Sequence, residues 1–329
     1  MRRSVNPSPT RSAHRPRRFG RRFVPGLAVG ALVLAACGSD DDAADTADTT
    51  AGSAAPADTT AGSVAPADSA APADSTAAAA DCSATLEPDT LTIATGDPAF
   101  SPWVIDDAPE TGEGFEAAVA LAVAGEMGYE GDAVVWTRTT FDEAIQPGPK
   151  TFDMNLQQYS ITAERQENVD MSLPYYTSNQ AMVALDGSPA EGATTVADLV
   201  DVKFGAQAGT TSLNFINDVI KPTTEPFVYD DNTGAKAALE ANQIDAAVFD
   251  LPTALFVSGV EIEGSVVVGQ FPAEAGGTTD EFGFVLNKDS ALTGCVNDAI
   301  AAITASGDLA AIQQEWLSDT TGAPIITVE

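Results

Sequence analysis

Thr92-Ile-Ala-Thr-Gly-Asp-Pro-Ala-Phe-Ser-Pro-Trp103, followed by Gly114-Phe-Glu-Ala-Ala-Val-Ala-Leu-Ala-Val-Ala124, decides the fold. Thr90–Thr95 has the composition of a buried strand. Gly114–Gly128 is Ala-rich with apolar residues at helical spacing, so it predicts an amphipathic helix. A loop that begins Gly96-Asp97 and holds three prolines joins them. A strand, a loop and a helix in that order start an α/β unit.

Working outward, the alternation continues. Strands are expected at Val134–Thr137, Phe152–Tyr159, Ala181–Leu185, Lys203–Gln207, Phe227–Tyr229, Ala246–Phe249, Val266–Val268 and Phe282–Leu286. Helical patterns fall at Thr140–Ile145, from Thr162, and at Val196–Leu199, Thr211–Ile220, Gly234–Asn242, Pro252–Ser258, Ala291–Ala305 and Leu309–Leu317. Two such series predict an α/β protein of two lobes, each a mainly parallel sheet flanked by helices. The expected ligand site is the cleft between the lobes, beyond the carboxyl ends of the strands.

The N-terminal quarter has a different character. Eight of the 15 basic residues of the 329-residue chain are arginines before Val24. Val24–Ala36 is a 13-residue apolar run ending Leu34-Ala-Ala-Cys37. That run is too short for a membrane span and suits a cleaved export signal, residues 1–36. The Leu-Ala-Ala-Cys string resembles the bacterial lipobox, which implies lipidation of Cys37. Residues 38–81 carry nine Asp and a ten-residue Ala/Gly/Ser/Pro/Asp/Thr repeat without aromatics. Such a segment cannot bury enough apolar area to fold, so 37–81 reads as a lipidated Cys and a disordered tether with a reach of roughly 35–40 Å. The expected location is the outer face of the cell membrane, with the lipid as the only membrane attachment.

Charge and composition exclude other functions. After the leader, seven basic residues face 48 acidic ones, a balance that repels nucleic-acid phosphates. The single histidine, His14, lies in the leader, so the body lacks a Ser-His-Asp triad and a His metal ligand. No cofactor or metal is expected.

Six blocks resemble the amino-acid-binding proteins of ABC transporters, solute-binding family 3. They are Thr92–Trp103; Gly114–Ala124, with Glu116 where Asp is usual; and Ser160-Ile-Thr-Ala-Glu-Arg165 with Pro174-Tyr-Tyr176. Gln207-Ala-Gly-Thr-Thr-Ser212, Ile244-Asp-Ala-Ala-Val-Phe-Asp250 and Gly307-Asp-Leu-Ala-Ala-Ile-Gln-Gln-Glu-Trp316 complete the set. They occur in the family's order over roughly residues 88–319. The resemblance implies a type II periplasmic-binding-protein fold, with residues 82–180 and 279–329 as lobe 1 and 181–278 as lobe 2. The chain would cross between lobes near Ser178–Met182 and Thr278–Phe284, with the cleft closing on ligand.

The resemblance also implies roles. A free amino acid is a zwitterion and needs one clamp for each charge. Arg165 can present a bidentate fork to the carboxylate; from spacing alone it reads more readily as a surface partner of Glu164 or Glu167, and the resemblance reverses that. Ser160 can add a hydroxyl, or cap the next turn with Thr162. Gly209-Thr210-Thr211 stands where backbone N–H groups open a helix, and Thr210 and Thr211 are candidate ligand contacts as well as caps. Asp250, at a strand end before Pro252, suits an ammonium; locally it is as good an N-cap. Phe100, Trp103 and Phe141 stand where the family has aromatic pocket walls. Asp97, Gln158, Gln207 and Phe249 are the side-chain selectors, and the two glutamines suit a polar, uncharged side chain.

Export and the lipidated Cys37 leave an even pair of cysteines. Cys82 precedes the first strand, and Cys295 is on a late helix that the family packs in the same lobe. A Cys82–Cys295 disulfide is therefore expected, with two separate buried thiols as the alternative. The expected function is a monomeric lipoprotein, not an enzyme, that delivers a small zwitterion to an ABC permease. A dehydratase-like enzyme on the same scaffold and a ligand sensor without a transporter are the competing readings.

Overall fold

The structure, a computed structural model, describes residues 82–317 and 322–328. The export signal, Cys37 and the tether lie outside the described residues.

The elements run β1 (Leu91–Gly96), α1 (Phe115–Glu126), β2 (Val134–Thr139), α2 (Phe141–Ile145), β3 (Met154–Asn155), α3 (Ala163–Asn168) and β4 (Asp170–Met171). Then come β5 (Tyr176–Leu185), β6 (Phe204–Gln207), α4 (Thr211–Phe215), β7 (Phe227–Tyr229), α5 (Asn232–Glu240), β8 (Ala246–Asp250) and α6 (Leu251–Phe256). The chain closes with β9 (Ser265–Phe271), β10 (Thr279–Phe282), β11 (Val285–Leu286), α7 (Thr293–Ser306) and α8 (Asp308–Trp316).

Two sheets result. The first has the order β2-β1-β3-β11-β4, with β1 parallel to β2 and β3. The second has the order β10-β5-β8-β6-β7, with β9 also on β5. In it β6 lies parallel to β7 and β8, while β5 is antiparallel to β8, β9 and β10. In the first, β11 is antiparallel to β3 and β4, so both sheets are mixed rather than mainly parallel. Each sheet has its own core. Leu91, Ile93, Phe115, Phe284 and Val296 pack in the first. In the second, alternation along β5 sends Met182 and Ala184 to one face with Phe204 and Phe271. Ala181 and Val183 go to the other face with Leu239 and Phe249. Both faces are covered there, so Ala181–Leu185 of β5 reads as a continuous apolar run.

The lobes are joined where β5 and β10 run side by side, with Asn179 opposite Thr279 and Tyr176 opposite Phe282. Cys82 and Cys295 form the expected disulfide, with Cα atoms 5.6 Å apart, and it ties the chain before β1 to α7.

Four further expectations are corrected. Phe152–Tyr159 is a strand only at Met154–Asn155, because the chain then turns into the cleft, with Gln158 at φ +50°. β5 starts at Tyr176 rather than Ala181, since β10 supplies a partner for its first residues. Phe282–Leu286 is not one strand: β10 pairs with β5 and β11 with β3 and β4. Gly283 sits at the break, where a Cβ would lie 3.0 Å from Ile161. Finally, residues 324–328 return to the second lobe, not the first. Ile325 and Thr327 bridge to Gln270 and Thr195. Ile326 is fully buried there, in space left by Gly269, whose Cβ would lie 2.6 Å from it.

Candidate functional site

The ends of β6 and β8, the turn after β3 and the loop after β1 meet around a cavity of about 50 Å³. One water needs only ~10–15 Å³ on that measure, so the space exceeds a hydration site.

Arg165 is placed by a cap. Thr162 Oγ1 accepts from Arg165 N at 3.2 Å and starts α3. The guanidinium turns back to donate from Nη1 to Ser160 O at 2.6 Å and from Nη2 to Gly209 O at 3.0 Å, a carbonyl of the other lobe. It lies 5.2 Å from the Phe141 ring centroid. Arg165 is only 6% exposed, and among the described residues no carboxylate forms an ion pair with it. Burial lowers its pKa from the ordinary arginine value. A buried cation without a counter-ion is costly, and it sets a positive charge at one end of the cavity.

Asp250 sets the opposite charge from the second lobe. It ends β8 and caps α6, with Oδ1 accepting from Thr253 N at 2.9 Å and Oδ2 from Thr253 Oγ1 at 2.7 Å. Its side chain still lines the cavity, so the N-cap role and a cavity role coexist. Burial raises its pKa to about 6, and the charge of Asp280 adds to the rise.

Ser160 Oγ stands 3.2 Å from Thr211 Oγ1 across the cleft. Thr210 caps α4, accepting from Leu213 N at 3.2 Å and donating to Gln207 O at 2.7 Å. Gly209, at φ +68°, brings this loop so close that a Cβ would lie 2.5 Å from Asp142 Oδ1. Phe100, Phe141, Phe249, Gln158 and Gln207 line the cavity as well. Lys236 Nζ stacks 4.7 Å from the Phe100 ring centroid while pairing with Glu261 at 2.8 Å.

Two proposed residues lie elsewhere. Asp97 is exposed and outside the cavity lining, because the loop after β1 carries it out toward solvent. Trp103 is fully buried in the first lobe, edge-on to Phe115, Tyr176 and Phe282. Its Nε1 nonetheless donates to Thr253 Oγ1 at 2.8 Å. Trp103, Thr253 and Asp250 thus form a hydrogen-bonded chain from one lobe to the other.

Sequence reasoning missed several residues. Gln180, fully buried on β5, donates to Asp280 at 2.5 Å and to Thr211 Oγ1 at 3.3 Å, and accepts from Ser212 at 2.7 Å. Gln157, Ser212, Asn232, Val248 and Phe282 complete the lining. Glu116 lies behind it, 1% exposed, accepting from Gln158 N at 2.8 Å, Gln158 Nε2 at 2.6 Å and Tyr175 Oη. Burial raises its pKa to about 7, against the pull of those hydrogen bonds. An acid on the buried face of an Ala-rich helix was the available signal for it. Gln180 and Asn232 sit in ordinary strand and helix patterns that carry none.

A family model described as bacterial extracellular solute-binding proteins, family 3, matches residues 91–319. A Campylobacter jejuni protein named "Probable histidine-binding protein" is 31% identical over 189 residues, covering 57% of this chain and 70% of that protein. The arginine-binding extracellular protein ArtP of Bacillus subtilis is 25% identical over 224 residues, 62% of this chain and 78% of that one. Among solved structures, an ancestral arginine-binding protein bound to glutamine superposes with a TM-score of 0.59 at 26% identity, over 71% of this chain and all of that one. An ancestral amino-acid-binding protein described as a precursor of cyclohexadienyl dehydratase gives 0.56 at 27% identity, over 69% and 95%.

Proposed function

The chain belongs to the bacterial extracellular solute-binding proteins of family 3, and from that premise we propose that it captures a free amino acid between its lobes and presents it to an ABC permease. The observation that carries this is the pair of opposite charges at the cavity, Arg165 from the first lobe and Asp250 from the second. Their roles follow from their chemistry. The guanidinium fork takes the α-carboxylate, with Ser160 and Thr211 adding hydroxyls. Asp250 takes the α-ammonium, which completes a neutral set of buried charges. Because the clamps come from different lobes, ligand favours the closed arrangement over the open one by its contacts to both. Relatives named for histidine and arginine binding support an amino acid as the class of ligand.

The protein is a carrier rather than a catalyst in this reading. Arg165 and Asp250 are both engaged as clamps, and Glu116 is enclosed by Gln158 and Tyr175 behind the cavity wall. The leader and Cys37 make it a lipid-anchored protein on the outer face of the membrane, with the tether giving the lobes reach to the permease. Mass spectrometry of the small molecule released from purified protein tests the reading. An unmodified α-amino acid supports it. A ligand without both charges, or one chemically altered during incubation, refutes it.

A further inference from the structure

Resting on the reading that Arg165 and Asp250 hold the two backbone charges of the ligand, we propose that the pocket selects an amino acid with a carboxamide side chain, glutamine or asparagine.

The first ground is charge. Among the described residues lining the cavity, only Arg165 and Asp250 carry ionisable groups. A ligand with a charged side chain would bring a third charge into a closed space without a partner, which is costly. A second carboxylate would also face Glu116 behind Gln158.

The second ground is the set of amides that remains. Gln157, Gln158, Gln207 and Asn232 line the cavity. The network orients two of them. Gln158 donates Nε2 to Glu116 Oε2, so its free end is the acceptor Oε1. Gln157 accepts from Tyr159 Oη through Oε1 at 3.0 Å, so its free end is the donor Nε2. A donor and an acceptor therefore stand on successive residues, the two groups that a carboxamide answers. From the second lobe, the side-chain amides of Gln207 and Asn232 make no hydrogen bond to the protein among the described residues. An apolar ligand side chain would leave the free ends of Gln157 and Gln158, and the whole amides of Gln207 and Asn232, without partners in the closed site.

The third ground is what the backbone accommodates to place these groups. Gln158 is held at φ +50°, a left-handed conformation disfavoured outside glycine, by its own N–H to Glu116. Gly96 leaves room for the neighbouring amide, since a Cβ there would lie 2.6 Å from Gln157 Nε2.

The test is calorimetric titration of the mature wild-type protein with the twenty common amino acids, repeated on Arg165→Ala and Gln207→Leu. Glutamine or asparagine should bind tightest, with glutamine preferred over its isostere glutamate and over methionine by at least about 100-fold, as sites built to hydrogen-bond a polar group discriminate strongly. Gln207→Leu should narrow the glutamine-to-methionine gap at least about tenfold. Any other amino acid within tenfold of the better amide overturns the carboxamide assignment. If that binding is lost in Arg165→Ala, the clamp reading stands without it. If no amino acid binds the wild type, both fall.

Discussion

Replacing Arg165 by alanine separates a ligand clamp from a structural arginine most sharply. The side chain is 6% exposed, has no carboxylate partner among the described residues, and donates to two carbonyls, Ser160 O and Gly209 O. In the bound state, truncation leaves the ligand carboxylate buried without its fork. Losing one member of a buried charge pair costs roughly 2–5 kcal/mol, or about 30- to several-thousand-fold in Kd. The ligand-free protein should respond differently. It loses two hydrogen bonds worth about 1–3 kcal/mol each but also the desolvation of an unpaired guanidinium, terms of opposite sign and similar size. Its melting temperature should stay within about 4 °C of wild type, since 1 kcal/mol moves a domain of this size by ~2–4 °C. Calorimetric titration with the amino acid that most raises the wild-type melting temperature, paired with scanning calorimetry of the free protein, reads both quantities. Unchanged affinity in Arg165→Ala would refute the clamp, and unchanged affinity with a large fall in melting temperature would assign the residue to stability alone.

Other perturbations follow from the same geometry. Asp250 has its pKa raised to about 6 and must be ionised to hold an ammonium, so Kd should weaken about tenfold from pH 8 to pH 5 and lose most of that dependence in Asp250→Asn. Glu116 binds its proton more tightly folded than unfolded, so its contribution to stability is intact below about pH 4.5 and is lost as pH rises through about 7. That loss is on the order of 3 kcal/mol, and denaturant titrations of Glu116→Gln should show a flatter pH profile than wild type over this window. Trp103→Phe keeps the aromatic packing but removes the donor to Thr253, and titration should show about five- to tenfold weaker binding, one hydrogen bond's worth. The Cys82–Cys295 bond spans 213 residues, so Cys295→Ser should lower the melting temperature by on the order of 10 °C without changing Kd, because the bridge lies away from the cavity lining.

Much of this protein was legible in its sequence because the signals are local. Strand and helix periodicity identified an α/β chain, since each element must show an apolar face wherever it packs. Cys82 and Cys295 were legible as a pair by count and compartment. Asp250 stood out because a carboxylate ending an apolar strand needs a partner, whereas Arg165 stood out only through the family resemblance. The tertiary structure decided everything that depends on which distant segments meet. Gln180 reaches Asp280 and Ser212 because β5 crosses between lobes, a consequence of pairings 100 and 32 residues away in the chain. Phe100 lines the cavity while Trp103, three residues on, is buried beneath it, and no local pattern distinguishes two aromatics on one loop. Asp97 looked like a selector and is exposed, because the direction of a loop residue is set by the sheet that the loop leaves. Ile326 fills the space above Gly269 in the second lobe, although its place at the end of the chain pointed to the first. Periodicity tells which face of an element is apolar; only packing tells what that face, and every polar group beside it, comes to touch.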